Sequence, residues 1–297
     1  LNGVDGKVLI EVDNQGRRMS VIDSTEPVAG KDVFLTLDSK LQKVAYDTLE
    51  SELRTAVLRK LTGGGKTYAL LLECLRHIDN KLFEAVIFRQ SRPQIMSAGG
   101  LYATSQEIYP HLGASSVLTP NVQWRFQSGA KVTFAHMFYE KEKYNWQGSQ
   151  IPLLMFDELV HFTESQFFYM FSRNRSTCGV RPYIRATCNP DGESWVARFI
   201  DWWIDPETGY ADESRCGKLR YFIRRNNIIH WADTPQQLYE EFHLYSPEEM
   251  EEVKSVSFIS AKLTDNAAMM KHDPGYIGAL KAMSEFDQEQ LLNGNWK

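Results

Sequence analysis

Two short stretches carry residues whose types and spacing suit phosphate chemistry. Gly63-Gly64-Gly65-Lys66-Thr67 has the ending of a phosphate-binding loop, and Leu153-Leu154-Met155-Phe156-Asp157-Glu158 reads as a buried strand with two carboxylates at its tip. A phosphate loop needs Gly-x-x-x-x-Gly-Lys-Ser/Thr between a strand and a helix. Its glycines let backbone N–H groups close around the phosphates. Its lysine reaches the β- and γ-phosphates, and its hydroxyl holds Mg2+. On that pattern Gly63, Gly64, Gly65, Lys66 and Thr67 are candidate nucleotide contacts, Lys66 is also a candidate catalytic residue, and Thr67 is a candidate metal ligand. Asp157 is the candidate Mg2+ carboxylate and Glu158 the candidate base for the attacking water. Simpler readings are a flexible turn at the glycines and a helix cap at the acids. Both motifs, in order, favour nucleoside triphosphate hydrolysis.

The loop departs from the pattern at its start. Lys60 stands where the first glycine belongs, Leu61 and Thr62 follow, and the lead-in strand is reduced to Ala56-Val57-Leu58. Glycine takes positive φ at little steric cost, whereas Lys60 and Leu61 would be strained there. Weakened phosphate binding is therefore expected, and the residues leave open a working site and an inert one.

The elements that must position these residues read as α/β. After the loop, 68–76 has the apolar face of a helix whose N-terminus would point at the anion. Strands are expected at 84–88, 151–156, 183–187 and 255–261. Hairpins are expected at 122–134 around Ser128-Gly129 and at 220–231 around Asn226-Asn227, and helices at 99–109, 163–171, 194–204, 235–243 and the C-terminus. Strands alternating with helices predict a mostly parallel sheet with flanking helices. Before it, 7–13 and 17–22 predict a hairpin, 32–37 a strand, and Asp38 or Ser39 caps a helix to Glu52, giving a small β-rich segment with one helix. Trp202, Trp203, Phe199 and Val196 fall at helical spacing and read as core. Trp146 precedes the acid-bearing strand and also reads as core.

Composition agrees with a globular, soluble chain: 297 residues, 43% hydrophobic, 24% charged. No apolar run is long enough for a bilayer, so no membrane partner is expected. A formal charge of −5 argues against a general nucleic-acid binder, so a DNA-handling surface would be local. Cys74, Cys178, Cys188 and Cys216 are scattered and read as reduced thiols of a cytoplasmic protein. The sequence begins at Leu1 rather than Met, and a start further upstream is expected.

Two family resemblances divide the chain. Residues 1–57 resemble the linker of a class B penicillin-binding protein of the elongation type, through Gly3-Val4-Asp5-Gly6, the 11–17 stretch, Pro27 to Asp32, and Leu35 to Asp38 with Leu41-Gln42. The transpeptidase motifs do not follow. Ser128 and Lys131 have Ser-x-x-Lys spacing but sit in the expected hairpin turn, and Lys66-Thr67 is followed by Tyr68 instead of glycine. Residues 58–297, most clearly from Gly63, resemble the ATPase half of a bacteriophage terminase large subunit. The residues that carry it are the phosphate loop and its helix, Ala85 to Arg89, Trp146-Gln147-Gly148, Phe156 to Leu159, Ser172 to Ser176, Arg185 to Pro190 and Gly294 to Lys297.

The second resemblance implies a motor that couples ATP hydrolysis to packaging of double-stranded DNA into procapsids in the host cytoplasm. ATP and Mg2+ are its implied ligands, and a portal, a small terminase subunit and copies of the same chain its implied partners. By position, Thr187 and Asn189 would sense the γ-phosphate and couple hydrolysis to movement. An arginine donated to a neighbouring subunit is also implied, with Arg89, Arg92, Arg173 and Arg175 as candidates. The family's nuclease domain is not expected within residues 58–297. Because the two resemblances abut inside the loop, a chimeric reading frame, such as a prophage remnant, is expected. The alternatives are a transpeptidase remnant acting as a structural segment, or an inert fusion.

Overall fold

In the computed structural model, residues 7–12, 18–25, 33–35, 65–261 and 275–297 are described. The strands in chain order are β1 (Lys7–Val12), β2 (Arg18–Thr25), β3 (Val33–Leu35), β4 (Glu84–Arg89), β5 (Ser115–Val117), β6 (Val122–Arg125), β7 (Lys131–His136), β8 (Leu153–Phe156), β9 (Tyr183–Ala186), β10 (Leu219–Arg225), β11 (Ile228–Ala232) and β12 (Lys254–Ile259). β1 and β2 form the expected antiparallel hairpin. The others form one sheet of order β11-β10-β12-β3-β9-β8-β4-β7-β6-β5. Pairing is parallel from β12 through β7 and antiparallel at both edges. The fold is thus mixed α/β with a mostly parallel central sheet and flanking helices.

The central strands are apolar on both sides because helices cover both faces. All four residues of β8 are buried. Their alternation sends Leu154 and Phe156 into one core with Val86 and Phe88, and Leu153 and Met155 into the other with Ala85 and Ile87. Each fully buried side chain of this size contributes about 1.5–3 kcal/mol. The first core continues through Phe162, Phe167, Phe199 and Trp203; the second takes in Leu70 and Leu71 of helix α1 (Lys66–Glu73). Trp146 packs edge-on against Phe88 with ring centroids 4.9 Å apart, as core.

Local signals explain most boundaries. Thr163 caps α4 (Glu164–Phe171), after α2 (Arg92–Met96) and α3 (Leu101–Ser105): its Oγ1 accepts from Gln166 N at 3.0 Å. Asn226 and Asn227 take φ of 51° and 63°, the left-handed pair that a two-residue hairpin turn needs. The Ser128 hydroxyl accepts from Ala130 N at 3.1 Å and donates to the Ile78 carbonyl, so it serves the turn.

Several elements differ from the sequence reading. The helix expected over 194–204 stops as α5 (Trp195–Phe199), and a 3-10 turn at Asp201–Trp203 places Trp203 in the core, where Nε1 donates to the Lys218 carbonyl. The helix expected over 99–109 shortens to α3, and 68–76 becomes α1 plus a 3-10 turn at Cys74–His77. The expected helix from Asp38 to Glu52 and the Ala56-Val57-Leu58 lead-in lie outside the described residues. β3 occupies the sheet position between β9 and β12. Among the described residues, no helix is long and apolar enough to cross a membrane.

Candidate functional site

In an open α/β sheet, ligands gather at the carboxyl ends of the strands. Asp157 follows β8, Thr187 follows β9, and Arg89 ends β4, so all three stand at that edge. α1 begins there too. Gly65 caps it with φ 65° and ψ −2°, a left-handed conformation that suits glycine. Gly63 and Gly64 lie outside the described residues.

Asp157 is the best-enclosed group of the site, 1% exposed. Its Oδ1 accepts from Thr187 Oγ1 at 2.8 Å. Its Oδ2 lies 3.1 Å from Arg89 Nε and 3.5 Å from Thr67 Oγ1. Burial pushes this carboxyl above its ordinary range, and the Arg89 guanidinium and the Thr187 hydroxyl act in the opposite direction. The helix-cap alternative is not what the acids do: no side chain caps the turn at Leu159–His161.

Glu158 adopts φ 59° and ψ 64°, rare for a residue with a Cβ. Leu159 N donates to the Thr187 carbonyl at 2.7 Å and His161 N to the Glu158 carbonyl at 3.0 Å, and these bonds hold the strained turn. The turn aims the Glu158 carboxylate at Asn189, whose backbone N donates to Oε2 at 3.0 Å and whose Nδ2 donates to Oε1 at 3.2 Å. Asn189 Oδ1 accepts from Lys66 Nζ, which also donates to the Cys188 carbonyl at 3.1 Å. Lys66, Thr67, Asp157, Glu158, Thr187 and Asn189 therefore gather in one cluster joining α1, β8 and β9.

The four arginines separate. Arg89 lies within the chain's own cluster. Arg92 is at the same sheet end and donates to the Leu118 carbonyl at 2.9 Å and the Pro120 carbonyl at 3.3 Å. Arg173 and Arg175 lie at the opposite end of β8: the Arg173 carbonyl accepts from Ile151 N at 3.0 Å, and Arg175 Nη2 donates to the Ser149 carbonyl at 3.2 Å. At about 3.3 Å per strand residue, Ile151 is roughly 20 Å from Asp157.

One charged group escaped the sequence reading. Glu73, 3% exposed at the end of α1, faces Arg76 Nε at 3.2 Å and Arg185 Nη2 of β9 at 3.6 Å. The helix that starts at the cluster is thereby pinned at its far end to the strand that carries Thr187. The signal was present: a glutamate within the apolar stretch of α1 and an arginine within an apolar strand are costly to bury unless paired.

The donors of the cluster fit a small hard cation. A hydroxyl and a carboxylate oxygen face one another, and among the described residues no group of three or more His, Cys, Asp or Glu could hold a metal. Such a donor pair suits Mg2+, which takes one or two protein oxygens and completes its shell with water and phosphate.

The fold and this cluster define an α/β protein with a glycine-capped helix and paired acids at the carboxyl edge of a parallel sheet. Residues 62–297 match the family described as terminase large subunit, T4likevirus-type, N-terminal, and the chain belongs to that family. Similar solved structures include the large terminase of a thermophilic bacteriophage in complex with ADP, 13% identical, covering 88% of this chain and 54% of that one, TM-score 0.47. The Thermus phage P74-26 large terminase ATPase domain is 10% identical, covering 78% of this chain and 84% of that one, TM-score 0.43. Among curated proteins, the peptidoglycan D,D-transpeptidase MrdA of Salmonella typhimurium is 23% identical over 177 residues, 57% of this chain and 28% of its own length. The chain thus spans under a third of that relative.

Proposed function

We propose that this chain is the ATPase motor part of a phage terminase large subunit, coupling ATP hydrolysis to movement of double-stranded DNA into procapsids. The observation that carries this reading is the single cluster built from Lys66, Thr67, Asp157, Glu158, Thr187 and Asn189, within a chain of the terminase family. Lys66 would leave Asn189 for the phosphates, and Thr67 and Asp157 would hold Mg2+. Bound Mg2+ would neutralise charge on the β- and γ-phosphates. Glu158, held by two donors from Asn189, is oriented to position the attacking water and take its proton. Asn189 touches both the phosphate-seeking lysine and the base, which suits a coupling residue.

The same reading takes portal, small subunit and neighbouring copies of the chain as partners, and residues 1–57 and 58–297 as separate in origin, in a chimeric frame. Arg173 and Arg175, remote from their own chain's cluster, suit a role in a neighbour's site better than Arg89 does. A transpeptidase role is disfavoured, since the Ser128 hydroxyl is committed to its turn and Lys131 faces Glu84 at 3.9 Å. Mg·ATP turnover by the purified chain, beside Lys66→Ala and Glu158→Gln, tests the proposal. Turnover lost in both variants is expected. Equal rates in all three proteins would reduce the site to a relic.

A further inference from the structure

We propose that Arg89 is the resident counter-ion of Asp157, and that a divalent cation loads the site by displacing it. This rests on the nucleotide-site reading above, and it gives Arg89 a role in its own chain, not in a neighbour's.

The pairing is fixed by the sheet. β4 and β8 are parallel with Phe88 opposite Phe156, so the residues that follow, Arg89 and Asp157, emerge side by side. Asp157 N also donates to the Phe88 carbonyl at 2.9 Å. Within the carboxylate the two oxygens are divided. Oδ1 is taken by Thr187, and Oδ2 carries Arg89 and also faces the Thr67 hydroxyl. The oxygen a cation would share with Thr67 is therefore the one the guanidinium occupies.

Charge makes the two occupants exclusive. The Asp157 side chain is 2% exposed, and an ionised carboxylate so enclosed needs a positive partner. Without metal, Arg89 supplies it. With a divalent ion on the same oxygen, the guanidinium would face a local excess of positive charge. The Arg89 side chain is 20% exposed and is the partner with room to leave. Arg89 is thus a positioning residue: it holds the Asp157 carboxylate aimed at Thr67, lowers the affinity of the empty site for cations, and frees its N–H donors at the phosphate edge when metal arrives.

The test is equilibrium binding of Mn2+ alone to the full chain, followed by the electron paramagnetic resonance of free Mn2+. Arg89→Gln is expected to bind about tenfold more tightly than the wild type, because the ion pair that competes for the same carboxylate oxygen is removed. Arg89→Lys, which keeps the charge, should remain near the wild type. Asp157→Asn should remove the site in either background. Equal or weaker binding by Arg89→Gln overturns the inference. Mn2+ binding indifferent to Asp157 overturns the metal site with it, whereas Asp157-dependent binding indifferent to Arg89 overturns the inference alone. Should Arg89→Gln not fold, the wild type carries the test through the Arg89 Nε–H signal in nitrogen-15 spectra. Its exchange with water should quicken on Mg2+ saturation, and unchanged exchange refutes displacement.

Discussion

Asn189 offers the sharpest perturbation, because its amide holds two catalytic candidates with opposite consequences. Asn189→Ala removes the Oδ1 contact to Lys66 and the 3.2 Å bond to Glu158 Oε1, and leaves the backbone bond to Oε2 and the 3.1 Å bond from Lys66 to the Cys188 carbonyl. A hydrogen bond to a charged group contributes about 1.5–3 kcal/mol. Lys66 and Asn189 are only half-buried and Lys66 keeps one partner, so the low end applies. Lys66 must leave Asn189 to reach a phosphate, so deleting that contact removes about 1.5 kcal/mol of opposition and should tighten ATP binding roughly tenfold. Glu158 meanwhile loses one of two donors that fix its carboxylate. Turnover at saturating ATP should fall by about ten- to a hundredfold, less than the full contribution of a general base. Binding is read with a fluorescent ATP analogue and turnover by phosphate release. Tighter binding with slower turnover is the expected split. Weaker binding with unchanged turnover would show that Asn189 restrains neither group and refute the reasoning.

The remaining predictions concern the scaffold. Thr187→Val leaves Asp157 Oδ1 without its 2.8 Å donor in a buried position and should destabilise the fold by about 1–3 kcal/mol in urea unfolding. Gly192→Ala would set a Cβ 2.3 Å from the Trp296 carbonyl, so the C-terminal segment must move. A loss of about 1–3 kcal/mol and a shifted tryptophan emission are expected. Burial pushes the Cys188 thiol up to about 12 and raises Cys74 as well. Folded values above the unfolded thiol value of about 8.5 mean this stability is complete below that pH and is lost as pH rises through the folded values. Urea midpoints should therefore fall above about pH 8.5, and thiol reagents should label the half-buried Cys178 and Cys216 before Cys74 and Cys188.

The site was legible where chemistry is written into adjacent residues. Lys66-Thr67 and Asp157-Glu158 stand out as the residue types a phosphate, metal and base site would use, and the fold gathers them into one cluster, while Asn226-Asn227 or Thr163 announce a turn and a cap through local hydrogen bonding. What escaped depends on register between distant segments. Nothing near Arg89 says that it faces Asp157; that follows only once β4 and β8 pair with Phe88 opposite Phe156. The place of β3 beside β9 is likewise a long-range pairing, as is the contact between Glu73 and Arg185. Helix ends moved for a different reason: tertiary demand, such as Trp203 turning into the core, overrides a periodic pattern.

The same physics explains why the cluster is closed upon itself. Lys66, Asp157 and Glu158 are ionisable groups, and charge held at a half-buried or buried edge without a partner is costly. Each is therefore matched from within the chain: Lys66 by Asn189 and the Cys188 carbonyl, Asp157 by Arg89 and Thr187, Glu158 by Asn189. A ligand must exchange these internal bonds for its own, so binding is weaker than its contacts alone would give. Every exchange releases a side chain anchored to a different element: α1, β4, or the loop after β9. Because Glu73 also ties the far end of α1 to β9, the helix is joined to that strand and the loop after it at two points. Cutting the distal one, with Glu73→Gln, should leave ATP affinity within about threefold of the wild type while weakening the dependence of turnover on DNA. An equal DNA response in both proteins would mean that α1 and β9 do not move together, and that the proximal contact at Asn189 carries the coupling alone.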